Sequence, residues 1–223
     1  MTMTLGGVGP FGGPVVPSLI RKFNSTAPDT FDTTQSIDCP AVITNGNYLI
    51  AIICTTNQST VSVKPSVEWN LVSSTTSTSN KIFVYSKLAD GTEGGTTLTW
   101  TFSGNCIAVI HCYEFLAPAA SFGATFATGT ASPPAHTISG GPADCYFIAV
   151  ATSLANTVTC NTAPTGYSDL VYTESSITNS ASTGQVAMAT AWLFKNAATS
   201  EDPGDFSWSG TLTTPAAATI SVR

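Results

Sequence analysis

The chain has 223 residues, of which 9% are Asp, Glu, Lys or Arg, against roughly 25% in an ordinary soluble domain. Its formal charge is −6 and its seven Lys and Arg are scattered, only Arg21 and Lys22 being adjacent. That sets nucleic acid aside as a partner, because affinity for a phosphate backbone rests on clustered basic side chains. No apolar run approaches the ~20 residues of a membrane-spanning helix. The length suits one large β-sandwich or two small domains, and sandwiches of this size are common as single units.

Residues 1 to 17 are dominated by Gly and Pro, which forbid a helix and break a central strand. Residues 1 to 23 therefore read as an extended arm. Val8, Phe11, Val15 and Val16 make it more apolar than a Gly/Ser linker. Two readings stand: an arm that lies along a neighbouring subunit through these four side chains, or a disordered terminus. The first basic residue is Arg21 and no apolar run before it resembles the core of a signal peptide. The six cysteines are accordingly expected as reduced thiols, several buried in apolar strands.

From Leu19 onward, runs rich in Val, Ile, Thr, Tyr, Phe and Trp alternate with Ser/Thr/Gly/Asn/Pro clusters, and helix signals are nearly absent. The first set runs Tyr48 to Ile52, Thr60 to Pro65, Trp69 to Val72, Lys81 to Lys87, Leu98 to Gly104 and Ile107 to Ile110. Alternation points Leu98, Trp100 and Phe102 to one face. Tyr48 to Cys54, Ile107 to Tyr113 and Cys145 to Ala151 are apolar almost throughout, as strands covered on both sides are. Asp90-Gly91 signals a turn. The stretch from Ala117 to Pro134 joins this set to a second and holds one further candidate strand, Phe122 to Phe126.

The second set answers the first in the same order: Tyr146 to Val150, Thr157 to Thr159, Ala163 to Tyr167, Leu170-Val171, Val186 to Lys195, Asp205 to Gly210 and Ala216 to Val222. Two similar sets of this kind read as halves, about 30–116 and 130–223, of one all-β sandwich over residues 24 to 223. Neither half alone could bury both faces of its sheet. With no crossover helices, the expected architecture is an antiparallel, jelly-roll-like sandwich with the arm outside it. A fibronectin-like pair of small domains is the alternative.

The order of these elements resembles a β-sandwich type found in tailed-bacteriophage virion proteins: head decoration or cement proteins, head fibres and tail-associated proteins. The residues that carry it are Gly46-Asn-Tyr-Leu-Ile-Ala-Ile, Pro65-Ser-Val-Glu-Trp-Asn-Leu-Val, Val84-Tyr-Ser-Lys-Leu-Ala and Thr99-Trp-Thr-Phe-Ser-Gly, with Ala163-Pro-Thr-Gly-Tyr repeating the proline-to-aromatic turn. The likeness covers residues 30 to 223 and is architectural. It implies a virion structural protein that binds the major capsid protein or another virion protein as a small homo-oligomer, a trimer favoured. The absence of a collagen-like or coiled-coil shaft puts decoration ahead of a fibre.

Catalytic machinery is not evident, and no enzyme or cofactor is expected. No Gly-x-Ser-x-Gly occurs. His111 lies in an apolar strand, and His136 follows a Pro-rich approach to the second set. Of the carboxylates, Glu93 and Glu201 fall in apparent loops and Glu68 in a turn; Glu114 ends an apolar strand, where bonding to backbone is the common fate. Asp202 and Asp205 flank Pro-Gly but lack the spaced acids of an EF-type calcium loop. The four tryptophans recur at matched positions and read as core. Tyr167 and Tyr172, near predicted loops, are the candidate surface contacts, and they carry the second reading, a tail-associated receptor- or carbohydrate-binding module.

Overall fold

The computed structural model describes residues 17–26, 31–56, 59–75, 79–116, 121–154, 158–175 and 185–223, and every regular element among them is a β-strand. The first eight are β1 (Ser18–Asn24), β2 (Asp32–Asp38), β3 (Tyr48–Thr55), β4 (Val61–Val63), β5 (Asn70–Ser74), β6 (Lys81–Leu88), β7 (Thr97–Cys106) and β8 (Ala108–Leu116). The rest are β9 (Phe122–Thr128), β10 (His136–Thr137), β11 (Ala143–Ser153), β12 (Cys160–Thr162), β13 (Ser168–Glu174), β14 (Ala187–Ala198), β15 (Ser200–Glu201), β16 (Ser207–Trp208) and β17 (Ala216–Val222). Val8, Phe11, Val15 and Val16 lie outside the described residues.

All strand pairs are antiparallel. Two five-stranded sheets, β1-β8-β3-β6-β5 and β9-β17-β11-β14-β13, form the centre of the molecule. The three-stranded sheet β2-β7-β4 covers the outer face of the first, and the short pairs β10-β15 and β12-β16 cover the outer face of the second. The protein is thus an all-β stack of sheets.

The period of two decides what each strand buries. Along β3, Leu49, Ala51 and Ile53 enter the core beneath β2-β7-β4, while Ile50, Ile52 and Cys54 enter a core shared by the two large sheets. Strand β11 behaves alike: Phe147, Ala149 and Ala151 face outward to their own cover, and Ile148 and Val150 face the shared core. The fully apolar runs seen in the sequence are these two-faced strands. In the outer core of the first half, Trp69 meets Trp100 edge-on at 5.2 Å and Tyr85 lies 5.0 Å from Trp100, the geometry aromatic quadrupoles prefer.

Side-chain hydrogen bonds fasten strand ends in both halves. Thr60 N donates to Ser103 Oγ (3.1 Å) and Ser103 N to Thr60 O (2.9 Å); Thr159 N donates to Ser209 Oγ (2.8 Å) and Ser209 N to Thr159 O (2.9 Å). Ile82 N donates to Thr75 Oγ1 and Val186 N to Ser175 Oγ, each at 3.1 Å. The Asp90-Gly91 turn has Gly91 at φ +86°, a conformation that L side chains adopt at a cost. Gly94 is fixed by space: a Cβ there would sit 2.8 Å from Ala41 O.

One boundary of the sequence reading moves. Residues 18 to 23, expected within the arm, form β1 together with Asn24 and pair with β8 from Ser18↔Leu116 to Asn24↔His111. The Gly/Pro composition that marks the arm stops at Pro17, strand pairing needs only the backbone, and the basic heads of Arg21 and Lys22 find carboxylates.

Because the two large sheets share one core, denaturant should unfold the chain in a single transition. Ile148→Ala, in that core, is expected to cost about 2–5 kcal/mol and to lower the midpoints reported by fluorescence and circular dichroism together. Two separate transitions would contradict a shared core.

Candidate functional site

The ionisable side chains singled out in the sequence are brought to the joints between strands and sheets. Glu114, on β8, is fully buried. One of its oxygens accepts from Asn47 Nδ2 (2.5 Å) and Thr44 N (3.0 Å), and the other pairs with Arg21 Nε of β1 at 2.6 Å. Arg21 Nη1 goes on to Val42 O at 2.5 Å. The carboxylate thereby locks β1 and the loop before β3 onto β8, with no solvent-facing oxygen for chemistry.

His111 sits on the shared-core face of β8, 1% exposed. Its Nδ1 lies 2.8 Å from Thr190 Oγ1 on β14 and its Nε2 3.0 Å from Thr173 Oγ1 on β13. Tyr113 Oη donates to the same Thr190 oxygen at 2.7 Å, and Asn24 Nδ2 donates to Thr173 Oγ1 at 3.1 Å. Nearby, Lys22 Nζ donates to Asp169 O at 3.0 Å. A polar seam thus joins the two large sheets inside an apolar core, and every named member has a partner, as burial requires. Burial, with a smaller contribution from Lys22, pushes the His111 pKa down to about 3, so the ring is neutral under ordinary conditions. His136 is held similarly, between Thr125 Oγ1 and Ser221 Oγ at 2.8 Å each.

Glu93 and Glu201, which looked like loop carboxylates, are buried. Lys87 Nζ lies 2.7 Å from both Glu93 and Glu68, and 3.6 Å from Asp90. Burial opposes the charge on Lys87, yet its hydrogen bonds to Glu68 and Glu93 outweigh it and hold the pKa up at about 12. In the second half Lys195 pairs with Glu201, which also accepts from Tyr167 Oη at 3.3 Å. The signal for both pairs was present in the sequence as one spacing, Lys87-x-Ala89-x-x-x-Glu93 and Lys195-x-Ala197-x-x-x-Glu201.

Tyr167 is corrected by this geometry. It was expected to offer a surface contact, but it is buried against the outer core of the second half, its ring taking an inward position after the Pro164 turn and its hydroxyl tied to Glu201. Tyr172 is partly buried and its hydroxyl donates to Val158 O (2.6 Å) and Glu174 (2.8 Å). Trp69 and Trp100 are fully buried; Trp192 and Trp208 are partly so. All six cysteines are free and buried, and burial raises their thiols, Cys39, Cys106 and Cys160 to about 11 and Cys145 to about 12. Among the described residues no three His, Cys, Asp or Glu side chains converge as metal ligands.

A groove of about 520 Å³ lies in the first half, between the start of β7 and the loop from Lys64 to Trp69. The chain matches no family model, no curated protein and no solved structure.

His111 fixes a sign for pH dependence. Its folded pKa lies below its ordinary value of 6.5, so between pH 6.5 and 3 the unfolded chain binds a proton that the folded chain refuses. Its contribution to stability is present above pH 6.5 and is lost as pH falls through that window. Urea midpoints of the wild type should drop more between pH 7 and pH 4.5 than those of His111→Gln; equal drops would contradict this.

Proposed function

We propose that the chain is a structural component of a tailed-bacteriophage virion, most concretely a capsid decoration or cement protein that binds and stabilises the outside of the head. In this reading each half is a jelly roll. The strand orders β1-β8-β3-β6 and β2-β7-β4 match those of that fold, with β5 placed beside β6, and jelly rolls are an architecture of capsid and lectin domains. The order β9-β17-β11-β14-β13 repeats the plan. Contacts between the sheets come in exchanged pairs, β8 with β14 and β17 with β6, and β5 with β9 while Lys22 and Asn24 of β1 bond β13. Such exchange is the pattern of a two-fold interface, here within one chain.

The observation that carries the reading is where the ionisable side chains are used. His111, Glu114, Lys87, Glu93 and Glu201 are buried as fastenings between strands, leaving a surface of Ser, Thr, Gly and few charges on a body whose two halves share a core. A rigid, weakly charged block accepts close neighbours without strong repulsion, as a component of a pressurised shell must. The tail-associated carbohydrate-binding alternative draws no support from Tyr167, whose ring is buried, or from the groove, in which Trp69 is fully buried.

Antibody raised against the whole chain, applied with gold label to virus particles from the source culture, should mark the heads at regular spacing. Label confined to tails would replace decoration with the receptor-binding reading, and unlabelled particles would contradict a virion role.

A further inference from the structure

Strand β7 is paired by β2 along its length, from Thr97↔Asp38 to Cys106↔Asp32, but on its other side β4 reaches it only at Thr101 and Phe102. Backbone groups of a strand point alternately to its two neighbours. Thr96 O accepts from Cys39 N on the β2 side, whereas Thr101 O accepts from Ser62 Oγ and Ser103 N donates to Thr60 O on the β4 side. Thr97 and Thr99 therefore direct their N–H and C=O groups toward β4's side, past the point where β4 ends.

That uncovered edge is one wall of the 520 Å³ groove. The opposite wall is the loop carrying Lys64, Ser66 and Trp69. Lys87 and Glu93 border the groove as a neutralising pair, and the ammonium of Lys64 is taken up by the carbonyls of Val67 and Trp69. Val63 at its rim is 58% exposed and Val67, in the wall loop, 91% exposed. An open strand edge and exposed valines together fit an extended peptide added as a strand.

We propose that the occupant is residues 1 to 5 of a neighbouring copy. Met1-Thr-Met-Thr-Leu5 alternates apolar and hydroxyl side chains and contains no Pro, so it can donate to and accept from the edge at Thr97 and Thr99 while its apolar face covers Val63 and Val67. Eleven residues lie between Leu5 and Pro17, a reach of up to about 40 Å. The donor is a second copy on the reading of the chain as a component of a many-copy assembly; the four strand spacings from β1 to β5, about 19 Å, lie within the arm's reach, so cross-linking has to separate exchange between copies from closure on one molecule. This inference rests on the reading of the chain as an assembly component.

The test uses full-length chains with single thiols added. The six native thiols are buried and raised by burial, so introduced ones react first. Thr4→Cys mixed with Thr99→Cys and mildly oxidised should give disulfide-linked mixed dimers, and Thr4→Cys mixed with the distant, exposed Thr130→Cys should not. Thr99→Pro, which removes an edge donor without touching the pairs at Leu98 and Trp100, should weaken self-association at least tenfold with an unchanged melting temperature. Closure within one chain of a Thr4→Cys/Thr99→Cys double variant, without mixed dimers, would overturn the proposal, as would self-association indifferent to Thr99→Pro. Heads that carry the protein while these chains fail to cross-link would overturn the docking site alone and leave the virion role standing.

Discussion

A strand such as β3, apolar on both sides, has to be covered twice. Each large sheet obtains its outer cover from its own half of the chain and its inner cover only from the other half. Parting the halves would bare Ile50, Ile52, Ile82, Val84, Val109 and Phe115 on one side alone. At about 1.5–3 kcal/mol for each side chain returned to water, that is on the order of 10 kcal/mol, as much as a typical domain's entire stability. The halves are therefore not two hinged domains; the shared core makes them one body.

The polar seam inside that core adds register to adhesion. Apolar sheets can slide over one another at little cost, but His111 between Thr190 and Thr173, with Tyr113 on the same threonine, is satisfied only in one alignment. An unpaired buried partner costs about 1–3 kcal/mol, enough to select that alignment. The same logic places Glu114 and the two Lys–Glu pairs. These ionisable groups are consumed in holding strands together.

Much of this fold was legible in the sequence because period-two alternation and continuous apolar runs report directly on one-faced and two-faced strands. β3, β6, β8, β11, β14 and β17 all announce themselves this way. β2 does not: Asp32-Thr-Thr-Gln-Ser-Ile-Asp has a single large apolar residue, Ile37, and becomes a strand because β7 supplies backbone partners. β10 and β15, two residues each, are below any periodic signal. Glu93 and Glu201 read as loop residues because burial of a carboxylate is decided by the lysine six positions earlier, and only the repeated Lys-to-Glu spacing betrays it. Tyr167 followed a turn and looked exposed, but its turn aims the ring at the outer core. The groove beside Thr97 and Thr99 arises from where β4 stops, a matter of register that no local pattern encodes.

Hydrogen exchange on the native chain tests the shared core most directly. Amides at the centres of β3 and β11, one strand from each half, should exchange only through global unfolding, with the same protection and the same response to low concentrations of urea. If one of these strands exchanged by an opening that left the other protected, the halves would be separately folding units and the shared core would not be what holds them.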